Sequence, residues 1–244
     1  MVIKMNELFS KNYQLRTSDF NCYDNLMPHA ILDFFQDVAG IHADILDIGY
    51  EKMISRNLIW VLVRTKYEVI KNPHSYETVK VTTWPKKKGK IDFDREYTIE
   101  DLNGNLLVKG VSKWIVVNVN TRRISLAKDI NYNTEPCSLE NFPGSFPKID
   151  DFSIEDCNCY ETMTTFSDLD HNMHINNINY AKYILNAIKL KKDELVKTFE
   201  INYVKELQKD EKVLIYSKKD GKTILIKGII NTNEISFVAK IELF

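Results

Sequence analysis

Apolar and polar positions along this chain fall into a pattern that is played twice. Residues 12–20 read as a strand running into a turn. Met27-Pro28 opens a helix, because proline lacks only an N–H that the first turn would leave unpaired. Ile31, Phe34, Phe35, Val38, Ile41 and Ile45 recur at helical spacing, with Asp33, Gln36, Asp37 and Asp44 opposite and Gly49 as the expected stop. Residues 57–70 form a long apolar strand that Asn72-Pro73 breaks. Residues 76–84 and 91–99 alternate, Asn103-Gly104 marks a hairpin, and Leu106 to Asn118 is the returning strand. Thr121-Arg122-Arg123 then turns the chain away.

The second half follows the same plan. Tyr160 to Phe166 is a short strand. The next helix carries Ile178, Ala181, Ile184, Leu185 and Ile188 on one side and Lys182, Asn186 and Lys189 on the other. Val196 to Lys205 is a strand. Lys212 to Lys218, Asp220-Gly221 and Thr223 to Ile230 form a hairpin, and Asn231-Thr232-Asn233 turns into Ile235 to Phe244. Each half therefore reads strand, helix, strand and three-strand meander, which is an internal duplication. At an offset of 146, Phe20 falls on Phe166, Asp24 on Asp170, Met27 on Met173 and Val38 on Ile184. In that frame Leu26 stands where Asn172 is and Pro28 where His174 is, so the first half keeps the frame without the amide or the imidazole. Residues 131–155 hold Pro136, Pro143 and Pro147 and show no period. They are expected to link an N-terminal half, 1–130, to a C-terminal half, 156–244.

Composition narrows the classes. The 244 residues suffice for one large domain or two small ones. A net charge of -1 gives no whole-chain bias toward nucleic acid or membrane. No apolar run has the length of a signal peptide core or of a membrane span, so the expected compartment is the cytoplasm. Cys22, Cys137, Cys157 and Cys159 contain one close pair and no second to complete a zinc site, and they read as reduced thiols.

The chemistry gathers in Ser167-Asp168-Leu169-Asp170-His171-Asn172-Met173-His174-Ile175-Asn176-Asn177, just ahead of the second helix. Asp170, Asn172 and His174 alternate, and in an extended segment they would share one face. A carboxylate, an amide, an imidazole and the free N–H groups of a helix start can together hydrolyse an activated carbonyl. Asp, Asn and Ser are also ordinary turn and cap residues. The spacing of Asp168, Asp170, His171 and His174 matches no strong metal motif.

This stretch, followed by Tyr180 and a helix, resembles the signature of acyl-acyl-carrier-protein thioesterases. The resemblance extends to Trp60-Val61-Leu62-Val63-Arg64-Thr65, to Trp84 and Gly89, and to the run from Trp114 to Arg123, and so covers nearly the whole chain in order. It implies an α+β chain of two tandem hot-dog folds, each a sheet wrapped around a long helix. It implies a catalytic set of Asp170, Asn172 and His174 with a downstream glutamate, which falls on Glu206 in Tyr203-Val204-Lys205-Glu206-Leu207. The family's cysteine after that glutamate is Leu207 here, which favours water as the nucleophile. Backbone N–H groups near Asn176 and Asn177 would supply the oxyanion donors. The implied substrate is a fatty acyl chain on acyl carrier protein, with no metal or organic cofactor. Acyl-coenzyme A is the close rival, and a non-catalytic acyl-binding protein is the rival of another class. Part of the first helix would line the acyl pocket. Lys86-Lys87-Lys88, Lys90, Arg122 and Arg123 are candidates for a carrier-protein patch, with Arg122 and Arg123 preferred. Because the duplication supplies its own pairing, the chain is a monomer or a homodimer.

Overall fold

The computed structural model describes residues 7–131, 137–143, 146–231 and 233–244. The first six residues, Pro136 of the expected linker and Thr232 of the last turn lie outside the described residues. The chain divides into two compact units, one of Met1–Leu26 and Ile31–Phe146, the other of Met27–Ala30 and Pro147–Phe244.

The first unit runs β1 (Phe9–Gln14), α1 (Pro28–Ile45) from Ile31 onward, a short α2 (Tyr50–Ile54), β2 (Leu58–Val69), β3 (Thr78–Pro85), β4 (Asp92–Asp101) and β5 (Leu106–Asn118). Its strands pair antiparallel in the order β1-β3-β4-β5-β2. The turn between β4 and β5 closes because Asp101 Oδ1 accepts the N–H groups of Asn103 and Asn105 while Gly104 takes φ +84°. Inside the unit, Phe35 of α1 stacks on Tyr97 with 4.3 Å between ring centroids. The ring lies over Gly110 of β5, where a Cβ would stand 2.2 Å from Phe35 Cε2. Glycine is therefore required there by close approach. Ile31 and Val38 are fully buried, but Ile45 is half exposed, so the last turn of the predicted stripe is not core.

Gly49 does not stop α1, as the sequence reading expects. The helix has already ended at Ile45, and Asp47, a left-handed residue (φ +59°), lets Ile48 N–H donate to the Ala43 carbonyl at 3.0 Å. Gly49 instead precedes α2. This short helix carries Met53 into a core cluster with Leu46, Ile48, Phe93 and Val116.

The second unit runs β6 (Asn158–Met163), α3 (Asn177–Ile188), β7 (Val196–Tyr203), β8 (Lys212–Asp220), β9 (Thr223–Ile230) and β10 (Ile235–Leu243). Its antiparallel order is β7-β10-β9-β8-β6. The helix buries Ile178, Ala181 and Ile184, and Tyr180 meets Tyr203 and Phe237 edge-on at 5.2 and 5.5 Å. Each unit is thus an antiparallel sheet with one long helix against it, and the chain is an α+β tandem of hot-dog folds.

The repeat is real but its offset is 149, from Phe9 to Asn158 at the first strands and from Pro28 to Asn177 at the helix starts. The expected offset of 146 is corrected by three residues. Apolar positions on a helix recur every three or four residues, so a slide of almost one turn preserves the stripe. That slide had also aligned Asp24 with Asp170 by identity alone.

The expected linker is fastened to each unit by polar bonds. On the first, Trp84 Nε1 donates to Leu139 O at 3.1 Å, Asn141 N–H to Glu96 Oε2 at 2.5 Å, and Arg64 Nη1 to Phe146 O at 2.6 Å. On the second, the buried Lys227 ammonium meets Asp151 Oδ1 at 2.5 Å and also donates to Phe152 O. These bonds go largely to backbone groups, which explains why the segment shows no apolar period.

Candidate active site

All four residues of the expected catalytic set lie in the second unit. Between Leu169 and Ile175, which face each other as an antiparallel bridge, the chain makes a tight turn. Asp170 N–H donates to His174 O at 2.8 Å, Met173 N–H to Asp170 O at 3.1 Å, and Met173 takes φ +63°. The extended alternation predicted for Asp170, Asn172 and His174 is therefore corrected. What draws them together is the Asp170 carboxylate, whose Oδ1 accepts the N–H groups of Asn172 at 2.8 Å and His174 at 3.2 Å. This is an Asx turn, in which the side chain replaces a backbone acceptor. Asn172 Nδ2 lies 3.5 Å from Asp170 Oδ2.

Both flanks of the turn are fixed. Asp168 accepts the Thr165 N–H at 2.7 Å and the Thr165 hydroxyl at 2.8 Å, closing a capping box around a single 3-10 turn. Asn176 caps α3 by accepting the Ile178 N–H at 3.1 Å. The Asn176 N–H itself donates to Asp168 O at 2.9 Å. It is committed to the fold, so the expectation that it serves as an oxyanion donor is corrected. The Asn177 N–H has no partner among the described residues.

Glu206 arrives from the other side, just beyond β7. Its Oε2 lies 3.5 Å from His174 Nδ1. The two side chains are 32% and 49% exposed, so water reaches both. The segment carrying Glu206 is tethered on each side. Val204 and Lys205 donate their N–H groups to Ser236 O at 2.8 and 3.0 Å, and the Ser236 hydroxyl donates back to Lys205 O at 2.8 Å. Beyond it, Leu207 is fully buried and donates its N–H to the Tyr180 hydroxyl oxygen at 2.9 Å. Burial pushes the Tyr180 phenol up to about 12, with the Leu207 N–H and the Ser236 side chain pulling the other way. Tyr180 is therefore neutral at physiological pH. Sequence reasoning noted Tyr180 only as part of a signature and missed Asn179, whose Nδ2 donates to Asp168 O at 3.0 Å. It missed Ser236 altogether, because nothing local ties it to a residue so far back in the chain.

At the corrected offset the first unit contains the same turn. Phe20 and Leu26 form the bridge, Asp24 takes φ +59°, and Asn21 Oδ1 accepts the N–H groups of Tyr23 and Asn25 at 2.9 and 3.1 Å. Asn21, Tyr23 and Asn25 thus stand where Asp170, Asn172 and His174 do, in place of the Leu26 and Pro28 expected opposite the last two. Beyond β2, Asn72 reaches this turn as Glu206 reaches the other. Its Oδ1 accepts the Leu26 N–H and its Nδ2 donates to Asp24 O, both at 3.0 Å. The first turn is held by a neutral amide staple and offers no carboxylate or imidazole at the matching positions.

The basic candidates lie in the first unit. Lys86 pairs with Glu96 at 3.1 Å and Glu140 at 2.5 Å, and Lys88 Nζ donates to Ile130 O at 2.5 Å. Both ammonium groups are spent on fastening the chain. Arg122, at φ +56° in its turn, and Arg123 are exposed, and neither is in an ion pair among the described residues. Among the described residues no group of His, Cys, Asp and Glu is arranged to hold a metal ion.

The acyl-ACP thioesterase N-terminal domain model matches residues 6–132, and the C-terminal domain model of the same family matches residues 153–241. A chloroplastic palmitoyl-acyl carrier protein thioesterase of Arabidopsis thaliana is 27% identical over 219 residues, which is 83% of this chain and 53% of that protein. A chloroplastic oleoyl-acyl carrier protein thioesterase of Coriandrum sativum is 28% identical over 249 residues, 92% of this chain and 66% of that protein. The chain spans about half the length of the first of these curated relatives. In fold it is similar to an acyl-ACP thioesterase from Bacteroides thetaiotaomicron, with a TM-score of 0.86, 23% identity and 98% of each chain covered. Matched in both halves, with the Asp170 turn inside the second match, the chain belongs to the acyl-ACP thioesterase family.

Proposed function

We propose that this chain hydrolyses the thioester of fatty acyl-acyl carrier protein, releasing a free fatty acid and the carrier's thiol. The observation that carries the reading is the approach of His174 Nδ1 to Glu206 Oε2, 3.5 Å apart across two separately tethered segments. Glu206 removes a proton from water as the water oxygen attacks the acyl carbon. The proton passes to His174 at Nδ1, and Nε2–H gives one to the sulfur as the carbon–sulfur bond breaks. The separation exceeds an ideal hydrogen bond, and catalytic contacts of this kind shorten when substrate closes the site. Asn172 presents its amide to the thioester carbonyl, and the Asn177 N–H, at the positive end of α3, is an oxyanion donor. Asp170 holds the turn that aims these groups. Water is the nucleophile because Leu207 follows Glu206 where a thiol would stand, and the residues need no metal or organic cofactor.

The test is a ladder of acyl-carrier-protein thioesters, with thiol and fatty acid release measured for the wild type, His174→Ala and Glu206→Ala. Loss of release by about 100-fold or more in both variants, with circular dichroism unchanged, is expected. Release that survives both substitutions removes this site from the reaction. Saturable binding without any release supports an acyl-binding protein instead. Running the same ladder on coenzyme A separates the two donors: a preference for the carrier protein that weakens with salt supports carrier recognition through charge.

A further inference from the structure

The carboxylate of Glu206 is half exposed, so packing does not fix it. Its position relative to His174 is set by the backbone on either side of it. Upstream, Ser236 O receives two N–H bonds and the Ser236 hydroxyl returns one to Lys205 O. Downstream, the next residue, Leu207, donates its buried N–H to the Tyr180 oxygen at 2.9 Å. Tyr180 belongs to α3, the helix that starts at the end of the His174 turn. The residue before it, Asn179, grips that turn through Asp168 O at 3.0 Å. Successive helix residues point about 100° apart. One therefore holds the segment bearing the histidine and the next holds the segment bearing the glutamate. The Tyr180 ring has little freedom, being 2% exposed and wedged edge-on between Tyr203 and Phe237.

From this geometry we infer that Tyr180 is a positioning residue for the hydrolysis: its hydroxyl oxygen, bonded to the Leu207 N–H, registers Glu206 against His174. The inference rests on the proposed role of Glu206. Tyr180 touches neither reacting atom and acts through the backbone one residue away. Phenylalanine keeps the ring and its packing but leaves the buried Leu207 N–H without an acceptor, which frees the segment to shift. A shift of about 1 Å in a catalytic group costs up to about 100-fold in rate.

The experiment compares wild type, Tyr180→Phe, Glu206→Gln and the double variant on one acyl-carrier-protein thioester, with rates corrected for the folded fraction. Tyr180→Phe is expected to lower kcat by about tenfold to 100-fold with KM within about twofold. The pH profile of its kcat/KM should move as well, because proton transfer between Glu206 and His174 depends on their separation. In the Glu206→Gln background the same change should cost nothing further. If Tyr180→Phe loses only thermal stability, with kcat and the pH profile unchanged, the inference is overturned while the Glu206 reading stands. If Glu206→Gln itself keeps wild-type kcat, the underlying reading falls first. Should Tyr180→Phe fail to fold, Ser236→Ala removes the hydroxyl that bonds Lys205 O and the Tyr180 side chain, while the Ser236 carbonyl keeps its two bonds. It is expected to give the same kcat loss and moved pH profile, and an unchanged profile there overturns the inference.

Discussion

Asp170 and Asn21 do one job with two chemistries. Each side chain gathers two backbone N–H groups of its own turn, at 2.8 and 3.2 Å for the carboxylate and 2.9 and 3.1 Å for the amide. The structure thus supplies its own evidence that an amide oxygen suffices to build the turn. Asp170→Asn is accordingly expected to fold, with stability within about 1 kcal/mol of wild type by denaturant unfolding, and to keep activity within about tenfold. Asp170→Ala removes the acceptor and is expected to lose activity by about 100-fold or more as His174 loses its register. If Asn and Ala fall equally far, the negative charge of Asp170 enters the chemistry directly. Residue identity announced Asp170, Asn172 and His174, and the family resemblance added Glu206. Neither announced how they meet, because a turn knit by a side chain and an alternating strand place the same residues at the same spacing.

Among the elements, strands and long helices were legible, and so were some of their ends. β5 runs Leu106–Asn118 as the hairpin signal and the apolar run predict, and α1 starts at Pro28. α2 was missed because its sequence, Tyr50–Ile54, is too short to show a period, and because α1 ends at Ile45 ahead of a left-handed Asp47 rather than a glycine. The glycines that matter for packing were also silent in the sequence. Gly110 is fixed by an aromatic ring from a helix far earlier in the chain, a contact no local window contains. Gly110→Ala is expected to destabilise the protein by about 1–3 kcal/mol, read as a lower denaturation midpoint, since Phe35 must leave its place on Tyr97. An unchanged midpoint would mean that the α1–sheet contact yields freely.

For the molecule as a whole, the segment joining the halves holds the boundary between the two units, at Phe146 and Pro147. Low periodicity and three prolines mark a linker, yet its described residues are bonded to the unit on either side of it. Lys227 is the clearest fastening: a buried ammonium that meets Asp151, the carbonyl of Phe152 and the face of the Phe152 ring at 4.8 Å. Lys227→Met keeps a side chain of similar reach without the charge. It is expected to speed limited proteolysis near Asp151 by about tenfold while circular dichroism stays the same, with cleavage sites read by mass spectrometry. An unaltered digestion rate would show that Lys227 is dispensable for holding the segment. The paired turns have a consequence for how such chains are inventoried. The same backbone loop is kept in both halves, although a carboxylate and an imidazole occupy only one of them at the matching positions. Its shape therefore serves the fold in both halves, and the reactivity proposed for the second is an occupancy of that shape. A survey of loop shapes would credit this chain with two reaction centres, and a survey of side chains with one. The function proposed above follows the second count.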